Sequence, residues 1–229
     1  MIQIFENKID LPHNIVSALA HRHGREPQTF WINSSDADYQ NLRRFRAEGL
    51  VRFDGESNAV DESERIHNSQ ALVAVLNDGY GWVPKYRSAL EHRFSNQNQS
   101  TTIILLDPDA NIISLIAEKS NKDVNEQQND IWSRVEMLIS GAGSEAYRKG
   151  RLRIFGSHRP LAGCYYIFDD CLVWNPYLTR FRPPQLPRIE LKRTGTVAQY
   201  LLTDAEVLER ELAVKNGTDL VARLLNSKR

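Results

Sequence analysis

"QALVAVLN" (residues 70–77) and "TTIILLD" (residues 101–107) are two continuous apolar runs of strand length. Between them lie the turn "DGYGW" and a helical stretch on which Tyr86, Leu90 and Phe94 recur at helix spacing. A strand that is apolar on both faces must be covered on both faces. Two such strands joined through a helix are the signature of a parallel unit inside an α/β sheet. "PDA" (108–110) stops the second run.

Working outward, "ANIISLIAEKS" (110–120) reads as a short helix and "NKDVNEQQND" (121–130) as a polar loop or helix start. "IWSRVEMLISGAG" (131–143) is an amphipathic helix with Ile131, Val135, Leu138 and Ile139 on one face. Strands follow at "RLRIFG" (151–156), "CYYIF" (164–168) and "CLVWN" (171–175). A Pro-rich loop "RFRPPQLPR" (180–188) leads to strand "IELKR" (189–193). Thr203-Asp204 with Glu206 has the form of an N-terminal cap for a final helix. The expected fold is therefore α/β, with a mixed, largely parallel sheet flanked by helices.

Residues 1–60 read as a small N-terminal segment and 61–229 as the main domain. In the segment, a helix over Leu11–His23 precedes a strand "QTFWIN" (28–33), a helix "SSDADYQNLRRFRAEG" (34–49) closed by Gly49, and a short strand "LVRFDG" (50–55). The last two resemble the recognition helix and wing of a winged-helix DNA-binding module. On that reading Arg43, Arg44, Arg46 and Arg52 would meet phosphates, against the offset of Glu26, Asp36, Asp38, Glu48, Asp54 and Glu56; the alternative is an α/β extension of the main domain.

With 25% charged and 41% hydrophobic residues the chain has the composition of a globular protein, which excludes a disordered or fibrous one. Formal net charge is zero, so no global field steers it toward nucleic acid or an anionic membrane. No stretch has the length and apolarity of a membrane span and no leader is legible, so a cytoplasmic location is expected. The two cysteines, Cys164 and Cys171, lack metal-ligand spacing, and neither metal nor cofactor is expected.

From about residue 63 to 212 the order of these elements resembles the single-copy phospholipase D-like domains of bacteria, including those fused to helix-turn-helix regulators. The resemblance is carried by "ALVAVLN", "YRSALEHRF", "TTIILLDPDA", "LRIFG", "YYIFDDCLVW" and "PRIELKRTG". It implies a bacterial regulator or antiviral-defence component, a homodimer built around a shared cleft, and a protein partner in that system. It also implies catalysis through H-x-K-x4-D on one strand, with a nucleophilic histidine and a phosphate-clamping lysine.

This sequence departs from that motif. If Asp169 is its aspartate, the histidine and lysine positions hold Ala162 and Cys164; if Asp170 is, they hold Gly163 and Tyr165. The phospholipase D reaction is thus lost, and Asp169-Asp170 reads as a hairpin turn between "CYYIF" and "CLVWN". The implied role is ligand sensing, regulation or scaffolding.

Residues 144–193 concentrate positive charge. Arg151, Arg153, Arg159, Arg180, Arg182 and Lys192, interleaved with Tyr165 and Trp174, would suit a phosphorylated small molecule, a nucleotide or a nucleic-acid strand. The bland alternative makes the arginines a solvated strand face and the aromatics core. For an enzyme, His158 with Asp107 or Asp109 is the candidate acid-base set, since "LLDPDA" ends a strand. Glu91 is the candidate if the chain cleaves NAD or nucleosides as TIR and deoxyribosyltransferase enzymes do. "NDGYGW" (77–82) ends the first core strand, where open sheets bind ligands.

Overall fold

The computed structural model describes residues 44, 46–54, 60–159, 161, 163–176, 187–215 and 217–227, apart from the Lys119 side chain. In chain order the elements are β1 (Leu50–Asp54), α1 (Ser63–Asn68), β2 (Ala71–Val75), α2 (Trp82–Lys85), α3 (Arg87–Ser95) and β3 (Ser100–Leu106). Next come α4 (Ile113–Ser120), α5 (Val124–Leu138), α6 (Ala142–Arg148), β4 (Leu152–Ser157), β5 (Gly163–Ile167), β6 (Cys171–Pro176), β7 (Arg188–Lys192), α7 (Thr196–Val214) and α8 (Leu220–Ser227).

The strands form one seven-stranded sheet of order β1-β7-β6-β5-β2-β3-β4. Only β2, β3 and β4 are mutually parallel; β2·β5, β5·β6, β6·β7 and β7·β1 are antiparallel. The mixed α/β class stands, but the sheet is not largely parallel. Short connections force the difference: a four-residue turn in which Phe168 N–H donates to the Cys171 carbonyl (2.9 Å) can join only antiparallel neighbours.

Alternation along the strands divides the core into two layers. Leu72, Ala74, Ile103, Leu105, Leu152 and Ile154 face α1, the crossover helices and α8, through Ile66, Leu90, Phe94, Ile131, Val135 and Leu220. Val75, Ile104, Tyr165, Ile167, Leu172 and Leu191 face α7, through Ala198, Leu202, Ala205, Leu208 and Leu212. Both crossovers run the same way along the sheet, so right-handed connections leave their helices on one face.

α5 begins at Val124, so the stretch 121–130 is the helix start rather than a loop, because Asp123 accepts from Glu126 N–H (2.7 Å) and caps it. α7 begins at Thr196. Thr203, expected as its cap, lies inside it and donates back to the Gln199 carbonyl (2.8 Å), while Asp204 accepts from the Tyr165 hydroxyl (3.2 Å).

β1 is the sheet's edge strand, paired with β7, and the strand resembling a wing is thus built into the main sheet. Gly49, at φ +97°, backs onto Gly195; a Cβ there would come within 2.5 Å of Gly195 Cα. A buried network fastens the same edge. Arg188, 1% exposed, meets Glu62 (2.5 Å), Glu190 (2.9 Å) and Asp54 (3.1 Å), while Arg65 reaches Glu190 (2.8 Å) and Arg52 reaches Asp54 (2.8 Å). Burial pushes the Glu190 carboxyl up, but hydrogen bonds from Arg65 and Arg188 outweigh it and leave it below the usual carboxylate range.

Candidate functional site at the carboxyl edge of the parallel strands

Parallel strands deliver their following loops to one edge. β2 ends at the loop 77–81, β3 at Asp107 and β4 at His158. The register pairs Leu106 with Ser157, and Asp107 N–H donates to the Ser157 carbonyl (2.8 Å), which places Asp107 beside His158. Gly156 makes room for the carboxylate, since a Cβ there would lie 2.6 Å from Asp107 Oδ2.

The Asp107 side chain is fully buried, and its Oδ2 lies 3.4 Å from Nε2 of His158, whose own side chain is 49% exposed. Arg223 of α8 bridges the two aspartates, with Nη1 at 2.5 Å from Asp107 and Nη2 at 2.5 Å from Asp109. Its guanidinium also sits 5.2 Å above the Trp132 ring. A buried carboxylate that orients a half-exposed imidazole can set up proton transfer, with Arg223 offsetting the charge. Glu91 is not part of this set: it is on α3, ion-paired with Arg87 at 2.9 Å.

A second cluster surrounds the loop after β2. Gln127 Nε2 donates to Asp78 Oδ2 (3.1 Å) and Gln128 Nε2 to the Pro108 carbonyl (2.8 Å), so adjacent residues of α5 tie two of the edge loops together. Tyr80 is exposed, with Lys122 Nζ 4.5 Å and the Arg134 guanidinium 5.3 Å from its ring centre. Trp82 stacks on Tyr166 at 5.4 Å.

Five side-chain polar atoms among the described residues are buried without a partner: Trp82 Nε1, Gln99 Oε1, Gln127 Oε1, Arg134 Nε and Arg151 Nε. Gln99 binds two backbone carbonyls through its Nε2 and Arg151 two through its Nη1. The remaining three belong to residues on or beside the loop 77–81: Trp82 follows it, Gln127 bonds Asp78 and Arg134 lies near Tyr80. Buried donors and acceptors in native proteins are almost always satisfied, so such a grouping marks a place for water or ligand. A sequence signal exists: Gln127 interrupts the buried stripe of α5 that continues through Ile131, Val135 and Leu138.

The basic residues read from the sequence do not share one surface. Arg151 donates to the carbonyls of Phe94 (3.0 Å) and Asn96 (2.6 Å), at the start of β4. Arg153 pairs with Glu209 on the α7 side, Arg159 pairs with Glu211 (2.6 Å), and Lys192 is exposed at the end of β7. Tyr165 is core, its phenol pushed up by burial and by the Asp204 contact, and Trp174 packs against the same layer. Arg44 and Arg46 are exposed, while Arg52 is held by Asp54. Arg43, Arg180 and Arg182 lie outside the described residues.

Asp169 is in the β5–β6 turn, and its two carboxylate oxygens accept from the backbone N–H groups of Gln70 (2.7 Å) and Ala71 (2.9 Å). Cys164 and Cys171 form no disulfide, because the hairpin register sets Cys164 opposite Asn175. Burial pushes the Cys171 thiol up to about 12, which keeps it protonated. No group of residues with metal-holding geometry, and no helix long and apolar enough to cross a membrane, occurs among the described residues.

What fold and edge define is a mixed α/β protein with polar loops gathered at the ends of three parallel strands. No family model and no curated protein matches the chain. Among solved structures, the archaeal chromatin protein TrmBL2, described as showing a novel mode of DNA binding, aligns over 86% of this chain and 66% of its own, at 10% identity and a TM-score of 0.45. That degree of likeness assigns neither family nor function.

Proposed function

We propose that the protein is a phospholipase D-like module with a degenerate catalytic strand, which binds a phosphorylated or nucleotide ligand at the carboxyl edge and signals its presence instead of hydrolysing it. A bacterial regulatory or defence setting follows from the same resemblance. The observation that carries the binding role is the trio of unpartnered buried atoms, Trp82 Nε1, Gln127 Oε1 and Arg134 Nε, around the loop 77–82. Two donors and one acceptor, next to an exposed tyrosine with two cations against its ring, suit a ligand with both a ring and a negative group.

Loss of hydrolysis fits the hairpin. On the phospholipase D-like reading Cys164 or Tyr165 stands where the clamping lysine would be, and the Asp169 carboxylate is committed to two backbone amides. The test is calorimetry with nucleoside phosphates, NAD and sugar phosphates, followed by recovery of the ligand. Saturable binding that weakens at least about tenfold, about 1.4 kcal/mol, in Arg134→Met and Gln127→Leu, with the ligand recovered intact, supports the reading. Failure of every ligand class to bind overturns it.

The 3.4 Å contact between Asp107 and His158 favours a second reading, a phosphodiesterase using displaced residues. It requires turnover of an activated phosphodiester by the intact protein and loss of that turnover in His158→Ala. Absence of turnover, or turnover that survives the substitution, removes it.

A further inference from the structure

Gln127 is fully buried, and its amide nitrogen donates to Asp78 Oδ2 (3.1 Å). An ionised carboxylate only accepts, so the amide is held one way round and Oε1 is left as an acceptor without a partner. The other oxygen of Asp78 accepts from the Tyr80 backbone N–H (3.0 Å). One carboxylate thereby ties the residue that carries the exposed ring and the buried amide to the same point. Trp82, 7% exposed, is the counterpart of Gln127: its indole N–H can only donate, and it too has no partner.

We propose that Gln127 and Trp82 read the edge of a nucleobase, that Arg134 holds the phosphate of the same ligand, and that Asp78 positions Gln127 for that reading. This rests on the binding role proposed above and narrows its ligand from phosphorylated compounds at large to nucleotides. The fixed roles select among ligand parts. A phosphate offers acceptors alone and would leave Gln127 Oε1 facing another acceptor. A sugar hydroxyl can both donate and accept, but it brings further hydroxyls in among the rings of Tyr80, Trp82 and Tyr166, where losing water is costly. A base brings a donor and an acceptor on one edge and a flat face for the rings.

Arg134 supplies the anionic half of the site. It is half-buried, its Nε has no partner, and no carboxylate pairs with it among the described residues. The nearby cation Lys122 is by contrast neutralised by Asp130. Charges withdrawn from water are ordinarily paired, so Arg134 is the cation here that a phosphate would complete. It follows Gln127 by seven residues, on nearly the same face of α5 and about 10 Å farther along the axis. Helical side chains lean toward the amino end, which brings the guanidinium back to within 5.3 Å of the Tyr80 ring centre. One helix thus offers both an acceptor for the base and a cation for the phosphate.

Calorimetry on the full chain with the common nucleoside 5′-monophosphates, ribose 5-phosphate and inorganic phosphate tests the proposal, with melting curves showing that each variant is folded. At least one nucleotide should bind at least about thirtyfold tighter than ribose 5-phosphate. Gln127→Leu should collapse that ratio toward one, whereas Arg134→Met should weaken nucleotide and ribose 5-phosphate alike, at least about tenfold. Asp78→Asn lets the Gln127 amide turn over, so it should cost the nucleotide at least about tenfold and ribose 5-phosphate nothing, a split that a merely structural role does not produce. A ratio near one in the native protein, as when ordered water completes the pair, or a ratio that survives Gln127→Leu, overturns the proposal and leaves the binding role standing. A ratio unchanged in Asp78→Asn removes the positioning role of Asp78. Failure of every phosphorylated compound to bind removes the binding role and this proposal together.

Discussion

The two ends of the parallel strands are built to opposite plans. At the amino end, the fully buried Arg93 places its guanidinium among acceptors: Thr101 Oγ1 (2.7 Å), the carbonyls of Ile66 (3.0 Å), Ser69 (2.5 Å), Gln70 (3.1 Å) and Ser100, and Ser69 Oγ (3.1 Å). Asp169 then accepts from the first two amides of the same corner. At the carboxyl end, His158 and Asp109 reach solvent, Tyr80 is exposed, and three buried polar atoms have no partner. One end spends its polar groups on holding strands in register, and the other keeps them available. That division is what a binding edge needs, because a site must be held rigid from behind and remain unsatisfied in front.

The comparison breaks first at Arg93. No carboxylate touches it; burial draws it down to about 10, with the charge of Asp169 acting in the opposite direction. Arg93→Met keeps the volume but leaves several buried carbonyls without donors, and should cost about 3–5 kcal/mol in denaturant unfolding. Arg93→Lys should recover only part of this, since an ammonium has three donors and no planar fork. A loss below about 1 kcal/mol for Arg93→Met would show that the amino end is not the rigid one.

How much of this was readable follows from which forces were local. "QALVAVLN" and "TTIILLD" announced β2 and β3 because burial on both faces removes every polar residue from a run. Asp169-Asp170 read correctly as a turn because turn chemistry is also local, but its grip on Gln70 and Ala71 depends on β5 pairing with β2, which no spacing reveals. The start of α7 is not legible because Thr203, Asp204 and Glu206 have the residue types of a cap, whereas the partner of Thr203 comes from the preceding turn and that of Asp204 from β5. The interleaved charges and aromatics of residues 144–193 suggested one surface. Alternation sends them to different layers and different strand ends, as Arg151 and Arg159 on either side of β4 illustrate. Arg93 is seven residues after Tyr86 and three after Leu90, on the buried face of α3, and that spacing was its available signal.

A smaller effect sharpens the same contrast at Asp169. If its carboxylate serves only to satisfy two amides at the start of β2, Asp169→Ala should destabilise the fold by about 1–2 kcal/mol. Ligand affinity at the carboxyl edge should be unchanged, because the two ends are a strand length apart. A selective loss of binding or turnover with stability intact would mean that this aspartate retains the role it has in the phospholipase D motif.

The smallest effect is expected at His158, and it discriminates most directly between holding and functioning. Its imidazole is half-exposed and its partner Asp107 keeps Arg223 at 2.5 Å, so removing the ring leaves no buried charge unpaired. His158→Ala should therefore change unfolding free energy by less than about 0.5 kcal/mol, the range of substitutions at exposed positions. Under the ligand-sensing reading it leaves nucleotide binding intact, and under the acid-base reading it removes turnover. A destabilisation above about 2 kcal/mol would make His158 a structural clamp like Arg93 and would erase the difference between the two ends.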